Sequence, residues 1–168
     1  GDGATATVVG ELEANRGILA ATHRTDSRYP LTLAATVPSG CWYDAARPLL
    51  HSPDPAGGHQ VFVSIPDQAR EVVDEVLELA GHDRADVAFF ASHQGTPWVR
   101  EIVQDVAGLG RARTLDTFPW TASLFSCNVP LVLRRAEDER LLVSGDLALL
   151  FGGGTGVTYG ATLVRWGR

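Results

Sequence analysis

By type and place, the residue best suited to do chemistry is His93, in Ser92-His93-Gln94-Gly95-Thr96-Pro97. It directly follows residues 86–91 (DVAFFA), an apolar run that reads as a short buried strand, and it precedes a helix start. Sites form at strand ends in α/β sheets, and an imidazole there can act as base or hydrogen-bond donor near neutral pH. The plainer alternative is a histidine that only caps the next helix. His23, His51, His59 and His82 read as solvated side chains, and no pair has the H-x-x-x-H spacing of a metal site.

The second candidate is Gly152-Gly153-Gly154-Thr155-Gly156. Free backbone N–H groups in such a turn bind a phosphate or stabilise an oxyanion. No Lys-Ser/Thr follows it, which excludes a Walker loop, and a strand rather than a helix follows, which excludes the dinucleotide fingerprint. The alternative is a tight β-turn that needs positive φ. Cys127 lies in an apolar stretch and reads as a small hydrophobe. Cys41, beside Trp42 and Tyr43, has no basic neighbour to activate it. Arg100, Arg111, Arg113, Arg134 and Arg135 form either an anion-binding face or an ordinary solvated basic patch.

The elements that must hold these residues follow from periodicity. Residues 4–10 (ATATVVG) and 17–23 (GILAATH) read as two strands of a hairpin-like pair. Residues 25–58, rich in Pro, Gly, Ser and Asp, show no steady period and read as a long loop, a lid or an interface segment. Residues 67–80 have apolar positions at helical spacing, with Asp67 as cap, Pro66 limiting upstream extension and Gly81 ending the helix. Residues 97–109 predict a second amphipathic helix and 121–137 a third, kinked at Pro130. Residues 146–151 and 157–166 predict strands joined by the glycine-rich turn. The order β-β-loop-α-β-α-α-β-β makes a layered α/β domain.

Composition narrows the function classes. The chain has 168 residues with formal net charge −6, and its basic residues are all Arg. The acidic balance without a basic run argues against nucleic acid as the main partner. No apolar run reaches the ~18 residues that span a bilayer, so no membrane partner is expected. Two cysteines make neither a disulfide framework nor a zinc site. With no Met and a start at Gly1-Asp2-Gly3, the sequence reads as a piece of a larger protein.

Several of these pieces occur together in one family. Gly1-Asp2-Gly3-Ala4-Thr5-Ala6 resembles the GDGAGA segment of type III β-ketoacyl-ACP synthases, which have the thiolase fold. Ser92-His93-Gln94-Gly95-Thr96 resembles their HQAN segment. The stretch from Gly145-Asp146-Leu147 through Gly152–Gly156 to Val164-Arg165-Trp166 is similar to their closing GDLVLL…GxG…TWGAALVRW strands. The resemblance implies that residues 1–168 are the C-terminal half of a thiolase-like fold, a mixed β-sheet packed by helices. The nucleophilic Cys would lie on an N-terminal half, and neither Cys41 nor Cys127 matches it. It further implies a cytoplasmic homodimer that needs no cofactor and uses an acyl-CoA or acyl carrier protein thioester as substrate. His93 matches the family's catalytic His, and the backbone at Gly154 and Thr155 matches its oxyanion turn. Arg100, Arg134 and Arg135 are the candidate contacts for a carrier protein or CoA. No metal is expected.

The chain departs from the pattern where the family has a catalytic Asn, in a GNTSAASIP-like segment. Counting back from Pro130 puts Ser123 at that Asn, whereas counting from Leu115-Asp116 leaves Thr121 as a rival. Asn128 lies too close to Pro130 to match, and Thr96 replaces the Asn of HQAN. In condensing members, His and Asn together stabilise the enolate formed by malonyl decarboxylation. Losing the amide removes about 3 kcal/mol, by analogy with oxyanion-hole deletions. The expectation is therefore an acyltransferase of natural-product or polyketide biosynthesis. The alternatives are a decarboxylating synthase and a non-catalytic partner subunit. The 25–58 segment is expected to line the acceptor entrance or to cover the dimer contact.

Overall fold

A computed structural model describes residues 3–12, 15–30, 32–37, 41, 49–154 and 157–167. Its strands are β1 (Gly17–Thr25), β2 (Ala34–Thr36), β3 (Leu49–His51), β4 (Val87–Ser92), β5 (Leu147–Gly154) and β6 (Thr158–Arg165). Its helices are α1 (Pro55–Ala80), α2 (Val99–Val106), α3 (Phe118–Thr121) and α4 (Asn128–Asp138). The main sheet has the order β1-β6-β5-β4, with β4 and β5 parallel and the other neighbours antiparallel. A separate pair, β2-β3, stands apart from it.

Strands covered on both faces read as continuous apolar runs. In β4, Phe90 packs with Val72, Val73 and Val103 of α1 and α2, while Phe89 and Ala91 pack with Val132 and Ala136 of α4. The sheet is thus the middle of three layers, and β4 is its most enclosed strand. The outer edge of β4 is covered as well. Phe90 N–H donates to the Arg113 carbonyl at 2.8 Å, and Arg113 N–H donates to the Ala88 carbonyl at 3.0 Å. The Thr114 hydroxyl also donates to the Phe90 carbonyl.

The layered α/β class, β4, β5, β6 and the body of α2 agree with the sequence reading. Four expectations are corrected. Residues 4–10 form no strand; Val8 and Val9 are 99% and 83% exposed, and β1 pairs with β6 instead. The helix expected at 67–80 begins at Pro55. Asp54, in the Pro/Gly-rich stretch taken as loop, is its N-cap and accepts the Gly57 N–H at 2.9 Å, with Pro55 in the first turn. Pro66 is interior to the helix, where it forfeits one backbone bond on a stretch that leaves Phe62 and Val63 exposed to water. Gly81 ends the helix in the left-handed conformation, as expected.

The helix expected over 121–137 is broken into α3, a short 3₁₀ turn at Phe125–Cys127, and α4. Pro130 lies in the first turn of α4, where a missing N–H costs little, and so is not a kink. Finally, Gly152, Gly153 and Gly154 are ladder residues of β5 paired with Gly160, Tyr159 and Thr158, not a positive-φ turn.

Candidate active site around His93

β4 ends at Ser92, and the His93 N–H continues its ladder by donating to the Phe151 carbonyl at 2.8 Å. This fixes the His93 backbone to the two most buried strands. The side chain is half-buried, and its Nδ1 lies 3.2 Å from the Phe125 carbonyl. A carbonyl only accepts, so Nδ1 carries the proton and the neutral ring leaves Nε2 as acceptor. Burial pushes the imidazole below its ordinary pKa, and the Phe125 carbonyl partly offsets this. Residue 95 is glycine on the Nε2 side; a Cβ there would lie 3.2 Å from Nε2.

The loop facing His93 holds its backbone in uncommon conformations. Ala122 has φ 53 and ψ −156, and Phe125 has φ 51. Both are positive-φ positions without glycine, of the kind that cluster at functional sites. Ser123, half-buried, lies between them. The Thr121 hydroxyl is engaged within its own turn, 3.0 Å from the carbonyls of Thr117 and Ala122. Leu124 N–H donates to Oδ1 of the fully buried Asn128, whose Nδ2 has no partner among the described residues. The half-buried Cys127 thiol donates to the Gly3 carbonyl at 3.3 Å, so the N-terminal segment crosses this loop.

The other candidate residues are dispersed. Gly154 ends β5, beyond Phe151, by about 10 Å of strand rise; Thr155 lies outside the described residues. Arg100, on α2, makes a two-pronged bond to Asp116 and a third to Gln104. Arg134 pairs with Glu137 and Asp138, and Arg135 pairs with Glu139 while lying over the Trp120 ring. Each arginine already has a carboxylate partner, and α2 and α4 pack in different layers. A shallow hollow of about 360 Å³ opens at the opposite, starting ends of β4 and β5, where His82 pairs with Asp86 and Arg113 with Asp146. Among the described residues no group of three His, Cys, Asp or Glu could hold a metal, and no helix is long and apolar enough to cross a membrane.

One residue that the sequence did not single out holds the site together. Gln94 is 1% exposed, and its Oε1 accepts from Thr117 N, Thr117 Oγ1 and Phe118 N at 2.8, 3.2 and 3.0 Å. Its Nε2 donates to the Leu115 carbonyl at 2.8 Å.

The pattern of the family described as "3-Oxoacyl-[acyl-carrier-protein (ACP)] synthase III C terminal" matches residues 77–166, more than half of the chain and the part that carries His93. The chain belongs to that family. The synthase III family is one of acyl-transferring condensing enzymes, and its fold is the thiolase-like α/β arrangement expected. The chain is 31% identical over 117 residues to the β-ketoacyl-[acyl-carrier-protein] synthase III of Synechococcus elongatus, covering 70% of this chain and 35% of that protein. It is 28% identical over 165 residues to the Coxiella burnetii synthase III, covering 98% of this chain and 50% of that protein. Among solved structures, the Aquifex aeolicus synthase III superposes with TM-score 0.77 at 22% identity, over 93% of this chain and 46% of that one. The chain spans about half the length, or less, of the synthase III relatives it matches.

Proposed function

We propose that this chain is the C-terminal half of a synthase III-like acyltransferase. A Cys on an N-terminal half takes the acyl group from a CoA or carrier-protein thioester, and an acceptor hydroxyl or amine then attacks it. His93 is the general base for that attack: Nε2 takes the acceptor proton while Nδ1 stays on the Phe125 carbonyl. Backbone N–H groups at Gly154 and Thr155 receive the oxyanion. The half-fold completes its site only with the N-terminal half, and two such proteins associate as a dimer. No further cofactor takes part, and the location is cytoplasmic.

The choice of transfer over condensation is supported by register: counting back from Pro130 puts Ser123, and not an amide, at the position of the family's Asn. The register rests on Ala122. In the GNTSAASIP-like pattern the residue before the Asn is glycine, and Ala122, one before Ser123, has the φ 53, ψ −156 backbone that glycine adopts most readily. Thr121, tied to its own turn, fits the position less well. A hydroxyl donates once and with shorter reach than a carboxamide, which weakens enolate stabilisation.

The second reading, decarboxylative condensation, is favoured by the names of the relatives. The test uses the full-length protein, pre-acylated on its nucleophile. His93→Ala should slow transfer to the acceptor by roughly 10²–10⁴-fold, the range for losing a general base. Undiminished transfer would overturn the role of His93, and CO₂ release coupled to a ketoacyl product would establish the condensing reading.

A further inference from the structure

Gln94 and His93 are neighbours in the chain, yet they grip opposite ends of the same segment. Gln94 holds the start, residues 115–118, by four hydrogen bonds. His93 meets the far end, at the Phe125 carbonyl. Between them runs α3, a single turn whose N-cap residue, Thr117, has no side-chain cap bond of its own. A helix start leaves backbone N–H groups orphaned. Here the Gln94 carboxamide oxygen takes those of Thr117 and Phe118, serving α3 as a cap supplied by a different element.

The connection onward is short. Thr121 and Ala122 N–H close the turn on the Thr117 and Phe118 carbonyls at 3.1 and 2.8 Å. The chain then passes through the strained Ala122 to Phe125. Strain of this kind persists only where surrounding structure over-determines it. Freed at its start, the segment has a strained conformation to leave, and the Phe125 carbonyl leaves His93 with it.

We propose that Gln94 is a positioning residue for His93: by capping α3 it holds the Phe125 carbonyl on Nδ1, and so keeps the imidazole in the tautomer that leaves Nε2 free to accept a proton. The use of Nε2 in catalysis rests on the acyl-transfer reading above; the tautomer itself does not. Gln94 touches no substrate. Its loss therefore acts on turnover and on the ring's protonation, not on donor binding.

The test is made on the full-length protein with ¹⁵N-labelled histidine. Imidazole ¹⁵N shifts should show His93 as one tautomer with the proton on Nδ1. Gln94→Met keeps the length and volume of the side chain but removes both hydrogen-bonding ends. It should convert His93 to a mixture of tautomers and lower kcat by up to about a hundredfold, the effect of a small misplacement, with KM for the acyl donor unchanged. Losing the Phe125 carbonyl removes a contact that favours the protonated ring, so the acid limb of kcat should also move to lower pH. Gln94→Ala is read in the same way should the methionine restore packing too well. A single Nδ1–H tautomer in both variants would overturn the proposal. A tautomer change in a protein that shows no acyl transfer would leave the positioning role standing and remove the function proposed above.

Discussion

His93 stands between two flanks built on opposite principles. On one side, β4 and β5 are paired without interruption from Phe89 to Ser92, and Phe89, Phe90, Ala91, Ala148 and Leu149 are fully buried. On the other, the segment from Phe118 to Cys127 has one-turn helices, two non-glycine residues at positive φ, and exposed Trp120 and Phe125. The first flank sets where the imidazole is. The second sets which nitrogen carries the proton. Accurate placement comes from a packed sheet, whereas tuning comes from a loop held in a conformation it would not choose alone.

The contrast breaks most visibly at Phe90. Phe90→Ala should cost about 3–5 kcal/mol of stability in denaturant unfolding, because it opens a cavity among α1, α2 and the sheet. Trp120→Ala, on the other flank and 59% exposed, should cost about 0.5–1 kcal/mol, most of it the contact with Arg135. Equal losses would show that the two flanks are equally packed.

Ala122→Gly sharpens the comparison in the opposite direction. Glycine adopts the observed backbone without strain, so stability should rise by about 1 kcal/mol. A destabilised variant would mean that the loop is not strained at this residue.

The next effect is smaller and electrostatic. Burial lowers the His93 pKa below the ordinary imidazole value of 6.5, so the acid limb of the transfer rate should have its midpoint below that pH. The unfolded chain then binds more protons than the folded one just below pH 6.5. The His93 contribution to stability is therefore lost as pH falls through the unfolded value and levels off at the folded one. A limb at or above 6.5 would mean that a charged partner outweighs burial. The smallest change is expected from Gly95→Ala, whose Cβ must displace Nε2 by a few tenths of an ångström. It should alter kcat by less than the Gln94 variants do, with stability within about 0.5 kcal/mol.

How far the sequence revealed this depended on where the signal resides. β4 and β5 were legible because burial on both faces writes an apolar run. His93 was legible because it directly follows one. The first half of α1 was not, because Ser-Pro-Asp-Pro-Ala-Gly-Gly has loop composition, although Asp54 and Pro55 are a cap and a first-turn residue. Residues 4–10 alternate like a strand but have no partner among the described residues. The break after Thr121 is carried by the backbone of Ala122 and Phe125, whose residue types do not announce it; only the glycine in the family pattern hinted at it. Gln94 was passed over because an uncharged side chain between His and Gly reveals its part only through burial and hydrogen bonds.

The covering of β4 by residues 113–114 has a consequence for association as well. An open sheet edge is a template for another chain's strand, and β4 is apolar, short and rich in aromatics, the composition that templates aggregation. With Arg113 and Thr114 occupying its outward groups, that edge is already taken. Strand addition is left to β1 at the other end of the sheet, where the irregularity between Ile18 and Ala20 interrupts the register an incoming strand would need. The strand that delivers His93 is thereby withdrawn from intermolecular pairing.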